Sequence, residues 1–262
     1  MTQKTDPTGL DAYKPAEVAA RIEQAGVSKA ALPVLPLLTL AVLAGAFIAL
    51  GAAAYTAAMV GTPTGFGPAR VLGGLLFSTG LILVVVAGAE LFTGNALIVM
   101  AWVDRKIAGR ALLRNWSLAF IGNLVGALAI VALMWLSGLL AGGLADTVRS
   151  IAVAKTSLGP VEAFARGVLC NMLVCLAVWL SFAARSVADK VLACIFPITA
   201  FVLLGFEHSI ANMYLIPAGW VAGAPITFSA FVGNLLPVTL GNVVGGGGGV
   251  ALAYWLAYRP QP

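Results

Sequence analysis

Six apolar stretches, each long enough to cross a lipid bilayer, occupy most of this sequence. They run from about Leu35 to Met59, Val71 to Trp102, Trp116 to Leu140, Val161 to Phe182, Val191 to Trp220 and Phe228 to Tyr258. Backbone in hydrocarbon must satisfy its own N–H and C=O groups, so the stretches are predicted to be helices. Only 10% of the residues are charged and 61% are apolar. A soluble domain carries about 25% charged residues, and a disordered chain needs low hydrophobicity, so both are excluded. The 262 residues therefore divide into a polar tail, residues 1–30, and a six-helix membrane domain, residues 31–259, with no separate soluble domain.

The tail is polar and mixed in charge, so no cleavable signal peptide is expected and the first span directs insertion. Pro15 opening Ala16 to Ile22, with Glu17 in the first turn, predicts a helix whose Val18, Ala19 and Ile22 face lies along the membrane surface. Lys4, Lys14, Arg21, Lys29, Arg105, Lys106, Arg110, Arg114, Arg185, Lys190 and Arg259 fall on the side of the termini; Arg70, Arg149, Lys155 and Arg166 fall on the other. That bias places both termini in the cytoplasm. The net charge of +5 is no nucleic-acid footprint, since no basic cluster carries interleaved aromatics. Cys170, Cys175 and Cys194 lie in apolar runs without metal-ligand spacing, and no metal or other cofactor is expected.

The second, fifth and sixth stretches exceed what a bilayer requires. Two are interrupted by polar, glycine-marked centres, Gly88 to Asn95 and Gly205 to Asn212. Half-helices joined by irregular backbone at mid-membrane are the expected result, tolerated where they line a cavity. The interruptions also correspond: Glu90-x4-Asn95 matches Glu207-x4-Asn212, and Phe120 to Val125 around Asn123 matches Phe231 to Leu236 around Asn234. The separations are 117 residues (90 to 207) and 111 residues (123 to 234). Three spans per half make this an inverted 3+3 repeat, with a site where the two breaks meet.

Glu90 and Glu207 are costly inside a span. A proton relay is one reading; their placement beside both breaks favours carboxylates that clamp freed backbone N–H groups, with Asn95 and Asn212 assisting. His208 is the only histidine, and it lies in the second break. Imidazole can donate to an anion and change charge near neutral pH. Thr93 supplies a hydroxyl from the other break, so one donor from each half forms a narrow site for a small anion. Leu81, Leu91, Phe92 and Phe201 are candidates for hydrophobic constrictions on either side. Gly73-Gly74, Gly122 and the run Gly245 to Gly249 point to close helix contacts. Trp102, Trp116, Trp220 and Trp255 read as interfacial anchors.

At Ala89 to Thr93, Gly122 to Gly126, Gly205 to Met213 and Asn234 to Asn242 the chain resembles the formate/nitrite transporter family. The resemblance implies an all-α, aquaporin-like homopentamer in the cytoplasmic membrane, each protomer passing small monovalent anions and protons through its own pore. It assigns His208 and Thr93 to the pore centre, Leu81 with Phe201 to one constriction and Leu91 with Phe92 to the other. Asn171 corresponds to a polar residue near the pore, and Lys155 to the outer vestibule, in a loop. Residues 74–99 resemble formate channels more than nitrite channels, whereas the short segment Val221 to Thr227 lacks the insertion of some formate channels. Formate is the expected substrate, with nitrite or hydrosulfide the alternative. A membrane enzyme would need a catalytic pair or nucleotide loop, and a water channel would need paired Asn-Pro-Ala motifs; the sequence has none of these. A purely structural scaffold would leave the two polar breaks unexplained.

Overall fold

The computed structural model describes residues 9–63 and 66–258, which leaves Lys4 and Arg259 of the charge count, and the outer ends of both proposed segments, outside the described residues. All regular structure among the described residues is helical. Helix α1 (Pro15–Ala30) precedes α2 (Val34–Ala58) and α3 (Gly67–Leu83), which continues as a π-helical turn, Val84–Gly88. After an interruption come a 3-10 segment, Gly94–Ile98, the short α4 (Val99–Val103) and the long α5 (Gly109–Leu136). Helix α6 (Gly142–Thr156), absent from the hydropathy reading, leads into α7 (Pro160–Ala183) and α8 (Val187–Leu204). A second interruption separates α8 from α9 (Ser209–Val221). Helix α10 (Phe228–Val243) runs through a wide π-helical stretch, Val244–Leu252, into α11 (Ala253–Tyr258). Six of these units are long and apolar enough to cross a membrane.

Both interruptions have the same local cause. Gly88 (φ +83°) and Gly205 (φ +71°) take left-handed backbone that a residue with a Cβ resists, and each ends its helix there. Packing repeats too. Helix α2 lies against α3 and α5 as α7 lies against α8 and α10, and α3 meets α8 across the halves. A Cβ on Gly126 would come within 2.0 Å of the Val42 carbonyl oxygen, and one on Gly245 within 2.1 Å of the Val168 carbonyl oxygen. These approaches let backbone meet backbone where a larger side chain would hold the helices apart.

The apolar face of α1 does not lie along the membrane surface. Val18, Ala19 and Ile22 are buried in a cluster with Ile98, Met100, Leu112 and Trp179. Lys106, beyond α4, ties the helix down by reaching Glu23 at 2.8 Å and Asp104 at 3.3 Å. Burial raises the Glu23 carboxyl above its ordinary range, and the Lys106 ammonium opposes that shift. Trp116 is not an interfacial anchor either: its indole N–H donates to the Asn95 carbonyl at 2.9 Å.

Candidate functional site

The clamp at each break is built from asparagines rather than from the two glutamates. Asn123 accepts from the Phe92 N–H at 2.9 Å and donates to the carbonyls of Ala41 at 2.7 Å and Glu90 at 3.0 Å. Asn242 accepts from the Ser209 N–H at 2.9 Å and donates to Gly167 at 2.8 Å and Glu207 at 3.0 Å. One amide thus satisfies a donor and an acceptor freed at the break and pins it to a neighbouring helix. The true counterpart of Asn123 is therefore Asn242, 119 residues on, and not Asn234 as the sequence match suggested.

The glutamates instead anchor buried ion-pair networks. Glu90 pairs with Lys29 of α1 and accepts from Asn95 at 2.8 Å; Asn95 also donates to Asn115, whose amide donates back to the Lys29 carbonyl. Glu207 pairs with Lys155 at 2.8 Å and accepts from Asn212 at 2.7 Å; Asn212 donates to Asn234, whose amide donates to the Lys155 carbonyl. Lys155 is thus the equivalent of Lys29, and α6, which carries it, is the equivalent of α1. The sequence reading placed Lys155 in a loop; it stands in the last turn of a helix.

Glu207 is 5% exposed in its side chain and Lys155 14%, so removing one charge strands the other. Lys155→Met is expected to destabilise the protein by about 3 kcal/mol, and adding Glu207→Gln to recover most of that loss. Thermal unfolding of the two detergent-purified variants checks it; equal melting for both would contradict the account.

At the centre, His208 caps α9, its Nδ1 accepting from the Ala211 N–H at 3.1 Å. That bond places the proton of the neutral ring on Nε2, which lies 2.9 Å from the Thr93 hydroxyl. The ring donates there, leaving the Thr93 hydrogen free for a third group. Asn171 does not reach this point with its side chain. It is fully buried and donates to the carbonyls of Thr93 at 3.1 Å and Asn242 at 2.6 Å, tying the two breaks together.

Two cavities lie toward opposite ends of α3, and the first of them reaches His208. One, of about 340 Å³, is lined by Arg70, Lys155, Arg166, Phe77, Phe201 and His208. The other, of about 410 Å³, is lined by Lys29, Glu90, Asn95, Leu81, Leu91 and Val85. Between them the wall is dry: Leu81, Leu91, Phe77 and Phe201 are all at most 4% exposed. Leu81 therefore groups with Leu91, and Phe201 groups with Phe77, its edge-on neighbour at 5.4 Å between ring centroids. Phe201 also stacks on His208, at 6.0 Å. Phe92 packs against Trp116 and Phe120. The sequence reading missed Phe77, one helical turn before Leu81, and gave Arg70 and Arg166 no place at the cavity mouth. The periodicity of α3 held the first signal, but in an all-apolar helix it does not say which residue meets the break.

Comparison with known proteins gives the same family assignment over nearly all of the chain. The family model described as formate/nitrite transporter matches residues 16–256. The formate channel FocA of Escherichia coli (strain K12) is 44% identical over 272 residues, covering 95% of either chain. A solved pentameric formate channel with formate bound superposes with a TM-score of 0.78 at 38% identity, over 87% of this chain and 98% of that one. An ion channel of the FNT family gives 0.86 at 30% identity, over 94% and 99%.

Proposed function

The chain belongs to the formate/nitrite transporter family, a multi-pass membrane protein built for transport and not an enzyme, and on that premise we propose that it conducts formate through a passage in each protomer of a homopentamer. The arrangement of two cavities closed off from each other by an apolar wall, with Thr93 and His208 as the polar pair beside it, carries this reading. The identity to FocA and the likeness to a pentameric channel with formate bound support substrate and assembly. The excess of Lys and Arg at the α1 end supports a cytoplasmic-membrane protein with both termini inside.

A bare carboxylate crossing the wall loses its hydration at large cost. Arg70, which makes no ion pair among the described residues, raises the local concentration of anion at the outer mouth, while Lys155 and Arg166 there are paired with Glu207 and Glu162. At the centre the free Thr93 hydrogen meets the anion, with His208 fixing the hydroxyl's orientation. A proton taken up with formate from the vestibule lets it pass as the neutral acid. Formate flux is therefore expected to rise as pH falls and to carry protons with it. Proteoliposomes loaded with a pH-sensitive dye check this, with nitrite and hydrosulfide as competitors. Formate entry no faster than in empty vesicles would overturn the substrate assignment; entry without acidification would overturn the proton.

A further inference from the structure

A third cavity, of about 590 Å³, lies away from the passage where α1 meets the end of α7 and the start of α8. Tyr13, Arg21, Gln24, Ser181, Arg185 and Lys190 line it. The Arg21 and Arg185 guanidinium carbons stand 3.7 Å and 3.9 Å from the Tyr13 ring centroid. Two groups so close to one centroid must occupy opposite faces of the ring. The sandwich is braced from behind: the Tyr13 N–H donates to the Ala183 carbonyl at 3.0 Å, and Arg185 Nε donates to the Asp11 carbonyl at 2.9 Å.

Arg21, Arg185 and Lys190 make no ion pair among the described residues. The nearby Asp189 carboxylate accepts from the backbone N–H groups of Arg185 and Ser186 as the cap of α8. Three cations held around one pocket repel each other unless an anion joins them. Stacked guanidiniums keep their in-plane N–H groups available, and that planar fork suits phosphate oxygens. The pocket opens where spanning helices end, on the arginine- and lysine-rich side. Along α8, which starts at the pocket, Leu192 and Phe196 stand one turn apart on one exposed face, an apolar surface along which acyl chains can lie.

We propose that the Tyr13–Arg21–Arg185–Lys190 pocket binds a phosphate-bearing anion, a phospholipid headgroup or free phosphate, at the membrane–water boundary. Native mass spectrometry of the full chain in micelles, titrated with phosphatidylglycerol, phosphatidylcholine or inorganic phosphate, tests it. The unaltered protein is expected to hold phosphatidylglycerol about tenfold more tightly than phosphatidylcholine, and Arg21→Gln/Arg185→Gln to lose that preference. Displacement of the lipid by equimolar inorganic phosphate assigns the site to the soluble anion; persistence assigns it to the lipid. Tyr13→Leu and Lys190→Gln, which keep both arginines, are expected to weaken the same preference and serve if the double variant does not fold. An unchanged lipid preference in all variants would overturn the proposal. So would a double variant that falls into smaller assemblies while keeping that preference, which would make the pocket a subunit contact.

Discussion

Asn242→Leu is expected to be among the most damaging single substitutions in the protein, costing about 5 kcal/mol. The side chain makes three hydrogen bonds to backbone, at Ser209, Gly167 and Glu207, and is fully buried. A leucine of similar size fills the space but leaves one N–H and two carbonyls without these partners, each a loss of about 1–3 kcal/mol. Asn123→Leu is expected to act alike, because its three bonds are the same in kind. Asn242→Asp separates amide from shape: it keeps the acceptor for Ser209 and loses the donors. Melting temperatures in detergent should fall in the order unaltered protein, Asp, Leu. A leucine variant that melts with the unaltered protein would show that the break is held by packing alone.

His208→Phe and His208→Asn are expected to diverge, and the divergence separates the ring's two tasks. Phenylalanine removes both the cap on α9 and the donor to Thr93. Asparagine is a good capping residue and retains an acceptor for the Ala211 N–H. Both variants lose the titratable imidazole. Formate flux in proteoliposomes should drop about tenfold or more in the phenylalanine variant, from the loss of a hydrogen-bonded donor in a dry passage. In the asparagine variant the protein should melt near the unaltered temperature, and flux should still rise as pH falls, because the proton enters with formate from the vestibule. A flattened pH profile in that variant would contradict this and place His208 in the proton path. Because the Ala211 N–H already occupies Nδ1, a second ring proton has to displace that bond. This favours a neutral ring that donates over a standing imidazolium.

Much of this framework was readable from residue order. The spans follow from apolar length, and their ends agree with the helices to within a few residues except at α5. There the helix begins at Gly109 and not at Trp116, because Arg110 and Arg114 lower the hydropathy of its first turns. Arg114 donates to the Leu32 carbonyl at 2.9 Å and so belongs to the packing of that end. Helix α6 escaped notice for a related reason. Asp146, Arg149 and Lys155 bring it well below the spans in apolar character, yet Ala145, Val148 and Ala152 form a buried stripe that meets α9. Thr93 and His208, which the fold brings within 2.9 Å of each other, stood out in the sequence because polar groups in apolar spans are conspicuous.

The sequence by itself determined that the chain enters a membrane, where its helices are interrupted, and that its halves correspond. Those properties are local: apolar length sets the spans, and a glycine beside polar residues marks each break. Only the tertiary structure decided that Asn123 pairs in role with Asn242, that Lys155 mirrors Lys29, and that Phe77 rather than Leu81 stands with Phe201. The last span carries two Gly–Asn pairs eight residues apart, at Gly233-Asn234 and Gly241-Asn242, and both read alike along the chain. Which amide meets a freed N–H depends on the depth and rotation of one helix against another. That is set by close backbone contacts such as Gly241 on Phe164 and Gly245 on Val168, which join residues far apart in the sequence.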